Sequence, residues 1–246
     1  MRIDLNCDMG ESYRRYSLGD DAAVMPFITS ANVACGLHAG DPTVMRATIR
    51  LAKQNGVTVG AHPGWPDLQG FGRREMTMTR EEVEAFVLYQ LGALAGIAKA
   101  NGVSLRHVKA HGALYNQAAK DKGLAEAIAG ATLTFDKELI FIGLAGSALI
   151  EAGLEIGLRV ANEGFPDRTY KADGTLVPRS QPGAIIENPQ EVAAQAVKLA
   201  QEGIDFGGHR VAIETLCLHG DNPRAAENAG LVRDALQKNG IEVRGL

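Results

Sequence analysis

The sequence of 246 residues contains only three cysteines, Cys7, Cys35 and Cys217. Their number is odd and no two of them form a C-x-x-C pair, so the sequence predicts neither a disulfide framework nor a zinc ribbon. We expect all three to be reduced thiols that are mostly buried.

Long apolar runs and a strong charge of one sign are also absent. No apolar run approaches the roughly 20 residues of a membrane span, and Asp4 interrupts the region where a signal peptide needs its apolar stretch. The formal net charge of −4 provides no basic stripe for nucleic acid. We therefore expect a globular cytoplasmic protein that binds neither membranes nor nucleic acid.

The two common nucleotide-binding motifs are missing as well. No G-x-x-x-x-G-K-[ST] sequence occurs, and the glycines of the segment Gly70–Arg74 are followed by two arginines rather than by the rest of a dinucleotide fingerprint. Any nucleotide must therefore be held in another way.

The sequence does contain a regular alternation of strand-like and helix-like segments. Runs rich in β-branched and apolar residues lie near 2–7, 30–35, 57–61, 105–110, 139–144, 157–161 and 211–218. Alternation without a long linker or repeat is typical of an α/β protein with a parallel sheet. The missing dinucleotide fingerprint favours a closed barrel over an open sheet. We predict a single TIM-like (β/α) barrel with seven strands over residues 1–246.

Capping residues mark where several helices begin. Three pairs combine a capping side chain with proline at the first helical position, and they are Asp41-Pro42, Asn188-Pro189 and Asn222-Pro223. A capping box from Thr79 to Glu82 predicts a fourth start.

Polar and apolar residues alternate along the predicted strands. In the first strand Asp4, Asn6 and Asp8 share one face. The same period of two gives other strands a polar face, with the members Thr58, Gly60, His62, His107, Lys109, His111, Thr215, Cys217 and His219. Strands covered on both faces are normally apolar throughout, so we expect the polar face to line a lumen whose top is the site.

Two histidines and two carboxylates follow the first three strands. Asp8 and Glu11 end the first strand, and His38 and His62 lie in glycine-containing turns. Asp8 could simply cap a turn, and each histidine could be a hydrogen-bonded core residue. Alternatively Asp8, His38 and His62 could hold a divalent metal ion, whose bound water would be acidified.

Lys109 and His111 end the fourth strand. A lysine within an apolar strand is costly to bury unless it is paired. We expect it to hold an anionic substrate group or a phosphate; the alternative is a structural ion pair with Asp or Glu.

The long segment 163–186 exceeds an ordinary strand–helix connection, and such segments are often lids or binding loops. Its Arg168 and Arg179 could clamp a carboxylate or phosphate, although exposed arginines are usually just solvated. Farther along, His219 and Asp221 precede a helix N-terminus, which favours anions. Asp221 or Asn222 could instead be only the helix cap.

Seven blocks in order resemble the LamB/YcsF family, which includes one component, component A, of bacterial 5-oxoprolinase. These blocks are DLNCDMGES, ANVACGLHAGDP, GAHPGWPD, GFGRR, VKAHGALYN, EGFPDRTY and CLHGDNP, and they run from Asp4 to about Asn222. The resemblance implies a (β/α) barrel related to polysaccharide deacetylases. It also implies ATP-dependent opening of 5-oxoproline to glutamate, with ATP as co-substrate, together with two partner subunits, B and C.

This resemblance and the polar pocket together suggest roles for individual residues. We expect Asp8 or a histidine to activate water, Lys109 and an arginine to bind carboxylate or phosphate, and His111 or His219 to transfer protons. The predicted catalytic residues are Asp8, Glu11, His62, Lys109, His111 and His219. The predicted substrate-binding residues are Asn6, His38, Arg168, Arg179 and Asp221.

Two other functions remain open from the sequence. A metal-dependent deacetylase-like hydrolase would use Asp8, His38 and His62 around its metal. A noncatalytic component would only position its partners, but that role gives no reason for charged residues inside a barrel.

Overall fold

Strands and helices alternate along the computed structural model, which describes residues 1–171, 173–178, 181–220 and 224–246. The strands are β1 (Arg2–Met9), β2 (Ser30–Ala34), β3 (Thr58–His62), β4 (Leu105–Lys109), β5 (Ile140–Leu144), β6 (Arg159–Gly164), β7 (Ile204–Phe206), β8 (His209–Val211), β9 (Thr215–Leu218) and β10 (Glu242–Val243). The helices are α1 (Asp21–Val24), α2 (Pro42–Asn55), α3 (Arg80–Ala100), α4 (Gly112–Ala118), α5 (Lys122–Phe135), α6 (Ala148–Glu155), α7 (Pro189–Glu202) and α8 (Ala225–Lys238), with a 3₁₀ turn at Met25–Phe27.

Seven parallel strands close into a barrel. The order is β1, β2, β3, β4, β5, β6 and β9, and β9 then pairs with β1 from Asp4 opposite Thr215 to Cys7 opposite Leu218. Strand β10 adds a short parallel pairing to the beginning of β1. The predicted seven-stranded (β/α) barrel is therefore confirmed.

Two predicted strand limits are wrong. The run 211–218 is split, because Val211 belongs to β8, which forms an antiparallel hairpin with β7 outside the barrel. The run 157–161 is displaced, because β6 continues through Glu163 and Gly164, which the sequence predicts to lie in the following loop. Glu163 pairs in register with Thr215 of β9, so the chain stays extended there.

The predicted caps position the surrounding helices. The Asp41 side chain accepts hydrogen bonds from the backbone N–H groups of Thr43 and Val44 at the start of α2. Asn188 caps α7 in the same way, and the Thr79 capping box begins α3. The predicted start at Asn222-Pro223 lies outside the described residues, and α8 begins at Ala225.

Helix α3 contradicts the expectation that no segment approaches a membrane span. By length and composition this helix of 21 residues could cross a membrane. In the barrel its Val83, Val87, Leu91 and Leu94 are buried, and the helix packs against α5. Its apolar residues therefore have a place in the layer that covers the strands.

The barrel lumen is polar and hydrogen-bonded, as the strand alternation predicts. Asp4 accepts hydrogen bonds from the hydroxyls of Thr29, Ser30 and Thr215. Farther up, Asn6 Nδ2 donates to Thr215 Oγ1 at 2.7 Å and to Glu163 Oε1 at 2.9 Å. Buried polar groups cost free energy unless they are paired. A shift of one strand would break these hydrogen bonds inside the barrel, so they help to fix the strand register. All three cysteines are free and buried, as expected.

Candidate active site at the carboxyl end of the barrel

Lys109 is the centre of the first group of residues at the carboxyl ends of the strands. We call Asn6, Asp8, Lys109, Glu163 and Cys217 the lysine cluster. Lys109 Nζ lies 3.0 Å from Asp8 Oδ1, 3.0 Å from Glu163 Oε1, 2.9 Å from Cys217 Sγ and 3.3 Å from Asn6 Oδ1. An ammonium group has three hydrogens, and here it faces four acceptors. The structural ion pair of Lys109 with Asp or Glu, which the sequence left open as an alternative, is therefore present.

The charges of the lysine cluster stabilise one another. Burial alone would lower the pKa of Lys109, but the neighbouring acidic groups, Asp8 first, raise it well above its usual value. Burial likewise opposes the ionisation of Asp8, yet His62 and Lys109 hold its pKa well below the usual value. Both groups are therefore charged at neutral pH. The Asp8 side chain is 13% exposed whereas that of Lys109 is 3% exposed, so the carboxylate is the part of the pair that solvent reaches.

Glu163 and Tyr115 belong to this site, although neither is among the residues predicted from the sequence. Glu163 is fully buried, and its Oε2 accepts a hydrogen bond of 2.7 Å from the Tyr115 hydroxyl. Burial and the adjacent carboxylate raise the pKa of Tyr115 well above its usual value, so the phenol keeps its proton. Glu163 lies in the block EGFPDRTY and Tyr115 in the block VKAHGALYN. Their place in these blocks was the sequence signal that could have identified them as site residues.

Four buried side chains form a second group, which we call the histidine cluster: Glu11, His38, His62 and His111. His111 Nδ1 lies 3.0 Å from His62 Nε2 and 3.5 Å from Glu11 Oε1, and His38 Nε2 lies 3.8 Å from Glu11 Oε1. One nitrogen or oxygen of each side chain lies within 4.8 Å of the others. Burial lowers the pKa of His111 to about 3 and that of His38 well below its usual value.

Glycines provide the space for these rings. A Cβ on Gly64 would lie 2.6 Å from His38 Nδ1, and one on Gly72 would lie 2.7 Å from the Cβ of His38 and 2.8 Å from the ring of His111. Gly72 also has a φ of +63°, a conformation that other residues rarely adopt. The segment Gly70–Arg74, which fits no nucleotide motif, therefore folds over the histidines.

The two clusters meet where Asp8 Oδ1 lies 3.4 Å from His62 Nε2. The sequence suggests Asp8, His38 and His62 as a set of metal ligands. In the structure Asp8 Oδ1 accepts hydrogen bonds from Lys109 and Asn32. Glu11 and His111 instead complete the group around His38 and His62.

His219 directly follows β9 at the carboxyl end of the barrel. Its Nδ1 is 2.6 Å from Asp167 Oδ2, and its ring stacks on Phe165 at a centroid distance of 5.8 Å. Asp8, Cys217 and His219 also bring one ligand-type atom each within 4.8 Å of the others.

The segment after β6 is held by Arg168, which is 6% exposed. Its Nε donates to the carbonyl of Ala184 and its Nη2 to that of Val177. These bonds tie Arg168 to two later points of the segment, and a substrate-binding role for Arg168 stays a prediction. Arg179 and Asp221, the other predicted substrate ligands of these loops, lie outside the described residues.

The same architecture is found in known proteins. A model of the LamB/YcsF family matches residues 3–246. The chain belongs to the LamB/YcsF family. The resemblance seen in the sequence blocks is thereby confirmed.

Two relatives match this LamB/YcsF chain over nearly its whole length. The 5-oxoprolinase A component from Pyrococcus furiosus is 53% identical over 247 residues, which cover 99% of this chain and 97% of the relative. The crystal structure of the lactam utilization protein from Thermus thermophilus is 47% identical, covers all of both chains and superposes with a TM-score of 0.93.

A more distant likeness concerns the fold alone. The polysaccharide deacetylase structure from Bacillus cereus is 11% identical, with a TM-score of 0.51 over 100% of this chain and 91% of that one. The predicted relation between this LamB/YcsF barrel and deacetylase barrels is therefore confirmed for the architecture.

The site of this LamB/YcsF chain offers two kinds of chemistry. The lysine cluster presents an ionised and partly exposed carboxylate, which can accept a proton from water. The histidine cluster offers nitrogen and carboxylate ligands of the kind that divalent zinc and related ions prefer.

Proposed function

We propose that this chain is the A component of an ATP-dependent 5-oxoprolinase that opens 5-oxo-L-proline to L-glutamate as ATP is hydrolysed to ADP and phosphate. The observation that carries the proposal is the 53% identity, across 99% of the chain, to the A component of the Pyrococcus furiosus 5-oxoprolinase. The enzyme would be cytoplasmic, and this chain would work with two further subunits, B and C.

The reaction needs help from ATP because an unstrained five-membered lactam is a stable amide. Transfer of the γ-phosphoryl group to the lactam oxygen releases ADP and makes the carbonyl carbon a better electrophile. One water then adds to that carbon as the ring C–N bond breaks, and the nitrogen takes up a proton. A second water releases phosphate from the resulting acyl phosphate, leaving glutamate.

Asp8 is the residue best suited to accept the proton of the attacking water. Its side chain is ionised, 13% exposed and held in orientation by hydrogen bonds from Lys109 and Asn32. Because its lowered pKa makes it a weak base, its part is to orient the attacking water and to accept the proton as the new C–O bond forms. Lys109 would hold Asp8 in place, because its hydrogens are already engaged with the lysine cluster. Binding of a substrate carboxylate or phosphate by Lys109, as the sequence suggested, would require one of these contacts to be exchanged.

His219 is the better placed of the two predicted proton-transfer residues. Asp167 orients it through a 2.6 Å contact to Nδ1, and its side chain is 13% exposed. His111 is 4% exposed, and both of its nitrogens lie near other groups of the barrel. We assign proton delivery to the leaving nitrogen to His219.

Reconstitution tests this function. Glutamate and ADP are followed from 5-oxoproline and ATP with the chain alone, with the B and C subunits alone, and with all three together. The proposal predicts product only in the complete mixture, with glutamate and ADP formed in equal amounts. Product formation that does not depend on this chain would overturn the proposal, and release of acetate from N-acetylated substrates by the chain alone would favour the deacetylase-like alternative.

A further inference from the structure

We propose that Glu11, His38, His62 and His111 form a binding site for a divalent transition metal ion of the zinc type. The site shares His38 and His62 with the set that the sequence suggested, but Glu11 and His111 take the place of Asp8. It does not depend on which reaction the barrel catalyses, because it follows from the hydrogen bonds and packing of the histidine cluster.

The hydrogen bonds of two histidines leave lone pairs facing each other. His62 Nδ1 lies 2.7 Å from the carbonyl oxygen of Lys109, and His111 Nε2 lies 2.8 Å from that of Phe71. Carbonyl oxygens only accept hydrogen bonds, so each ring donates there and keeps its proton on that nitrogen. The other nitrogens, His62 Nε2 and His111 Nδ1, therefore present lone pairs to each other at 3.0 Å. Two facing lone pairs repel each other, and a proton or a metal ion shared by the two nitrogens removes that repulsion.

These outer hydrogen bonds are themselves typical of metal sites. A histidine that binds a metal through one nitrogen almost always donates the other N–H to a carbonyl or carboxylate, which fixes the tautomer and the direction of the free lone pair. The carbonyls of Lys109 and Phe71 supply this second layer for His62 and His111.

His38 is the third ligand and provides independent support. It is fully buried, and within the described residues neither of its ring nitrogens has a hydrogen-bond partner. A buried nitrogen without a partner is costly, and such groups call for an explanation. Its Nε2 faces Glu11 Oε1 at 3.8 Å, while Gly64 closes the Nδ1 side. A metal ion beside Nε2 would provide the missing partner.

The spacing of the four side chains suits one small ion. In a tetrahedral zinc site with bonds of about 2.0 Å, neighbouring ligand atoms lie roughly 3.3 Å apart. Three of the distances here are 3.0, 3.5 and 3.8 Å, and all four ligand atoms lie within 4.8 Å of one another. The rings of His38 and His111 stack nearly parallel with their centroids 3.8 Å apart, so one of these rings has to turn about its side-chain bonds when both bind the same ion. Three imidazoles and one carboxylate favour zinc, cobalt or nickel over magnesium or calcium, which prefer all-oxygen sites.

Metal titration of the full chain tests the site. The protein is stripped with a chelator, dialysed, and titrated with Zn²⁺ or Co²⁺, with metal content, Tm and the visible spectrum of cobalt as readouts. We expect one metal ion per chain, a rise in Tm, and a cobalt spectrum without the near-ultraviolet band of thiolate ligation. That band would place the metal at Asp8, Cys217 and His219 instead and would overturn the proposal.

Variants separate the proposed site from adventitious binding. Glu11→Gln and His38→Gln keep the size of each side chain roughly constant, and each should weaken metal binding at least tenfold and abolish most of the rise in Tm. His209→Ala, which removes an exposed histidine of β8, serves as the matched control and should bind like the unmodified chain. Unchanged affinity in both cluster variants would overturn the proposal. Substoichiometric metal content in the unmodified chain would also overturn the proposal. In that case a proton shared by His62 and His111 would explain their contact.

Discussion

Replacement of Lys109 by methionine should destabilise the barrel strongly, because the side chain pairs with the fully buried carboxylate of Glu163 and with the 13% exposed carboxylate of Asp8. Its ammonium lies 3.0 Å from both Asp8 and Glu163. At an effective dielectric constant of about 20, each contact represents roughly 5 kcal/mol of gross Coulomb attraction. Most of this is offset by desolvation, and removal of one partner from a buried pair typically costs about 3 to 5 kcal/mol. We expect Lys109→Met to lower the free energy of unfolding by that amount at pH 7.5.

The stability lost through Lys109→Met should become smaller as the pH falls. Without Lys109, burial opposes the ionisation of Asp8, so the pKa of Asp8 in the folded variant rises above its unfolded value. In the variant, protonation of the carboxylate stabilises the folded state at low pH, and this stability is lost as the pH rises through the raised pKa. The difference in free energy of unfolding between the unmodified chain and the variant should therefore be smaller at pH 5 than at pH 8. Adding Glu163→Gln to Lys109→Met should recover part of the loss, because it removes one uncompensated charge.

Urea unfolding provides the assay. The single tryptophan, Trp65, is 1% exposed and reports loss of the barrel through its fluorescence. Lys198→Met on the exposed side of α7 is the matched control and should change the stability by less than about 0.5 kcal/mol. A loss below about 1 kcal/mol for Lys109→Met at pH 7.5 would refute the account, because buried carboxylates left unpaired cost more than that.

Three further predictions test other parts of the site. Gly60→Ala places a Cβ against the buried ring of His107 and should lower the free energy of unfolding by at least about 2 kcal/mol. Gly92→Ala lies in the open part of α3 and should instead raise it by up to about 1 kcal/mol. The Tm of each variant tests both expectations. Burial lowers the pKa of His107 to about 3, so its contribution to stability is lost as the pH falls below the unfolded value, by about 2 kcal/mol between pH 7.5 and pH 5. His107→Gln should remove this contribution to the pH dependence of stability. If the free energy of unfolding of the variant fell between pH 7.5 and pH 5 as much as that of the unmodified chain, the prediction would be wrong. His219→Asn should lower turnover of the reconstituted enzyme by about 100-fold or more, and Asp167→Asn by less; equal rates in the unmodified and His219 enzymes would rule out proton delivery by His219.

The strands and their polar face could be predicted from the sequence because these depend on local order. The period of two along β1 is enough to put Asn6 and Asp8 on one face, and the closed barrel turns that face inward. The helix caps at Asp41 and Thr79 are equally local, since the capping hydrogen bonds of each reach residues no more than three positions away.

Glu163 could not be placed in this way. The mixed sequence Arg-Val-Ala-Asn-Glu-Gly of β6 resembles the beginning of a loop. Its burial depends on Asn6, which is 157 residues away, and on Lys109. Only the closed barrel brings these partners together.

Which neighbours Asp8 and Glu11 each face also depends on the tertiary structure. Both follow β1, and spacing does not distinguish them. Gly10 adopts a φ of +68°, and its N–H donates to Asp21 Oδ2, so the chain turns between the two acids. Asp8 consequently contacts Lys109, whereas Glu11 contacts His38 and His111.

The most direct test of the central claim is the rate of a reconstituted 5-oxoprolinase in which only this chain carries Asp8→Asn. The substitution keeps the shape of the side chain but removes the proposed base, and Asp234→Asn on the exposed side of α8 is the matched control. If the lactam is opened in this barrel, glutamate formation should fall by about 100-fold or more while assembly with the B and C subunits is unchanged, and the control should retain its full rate. A full rate with Asp8→Asn would contradict the account and leave this chain a positioning role.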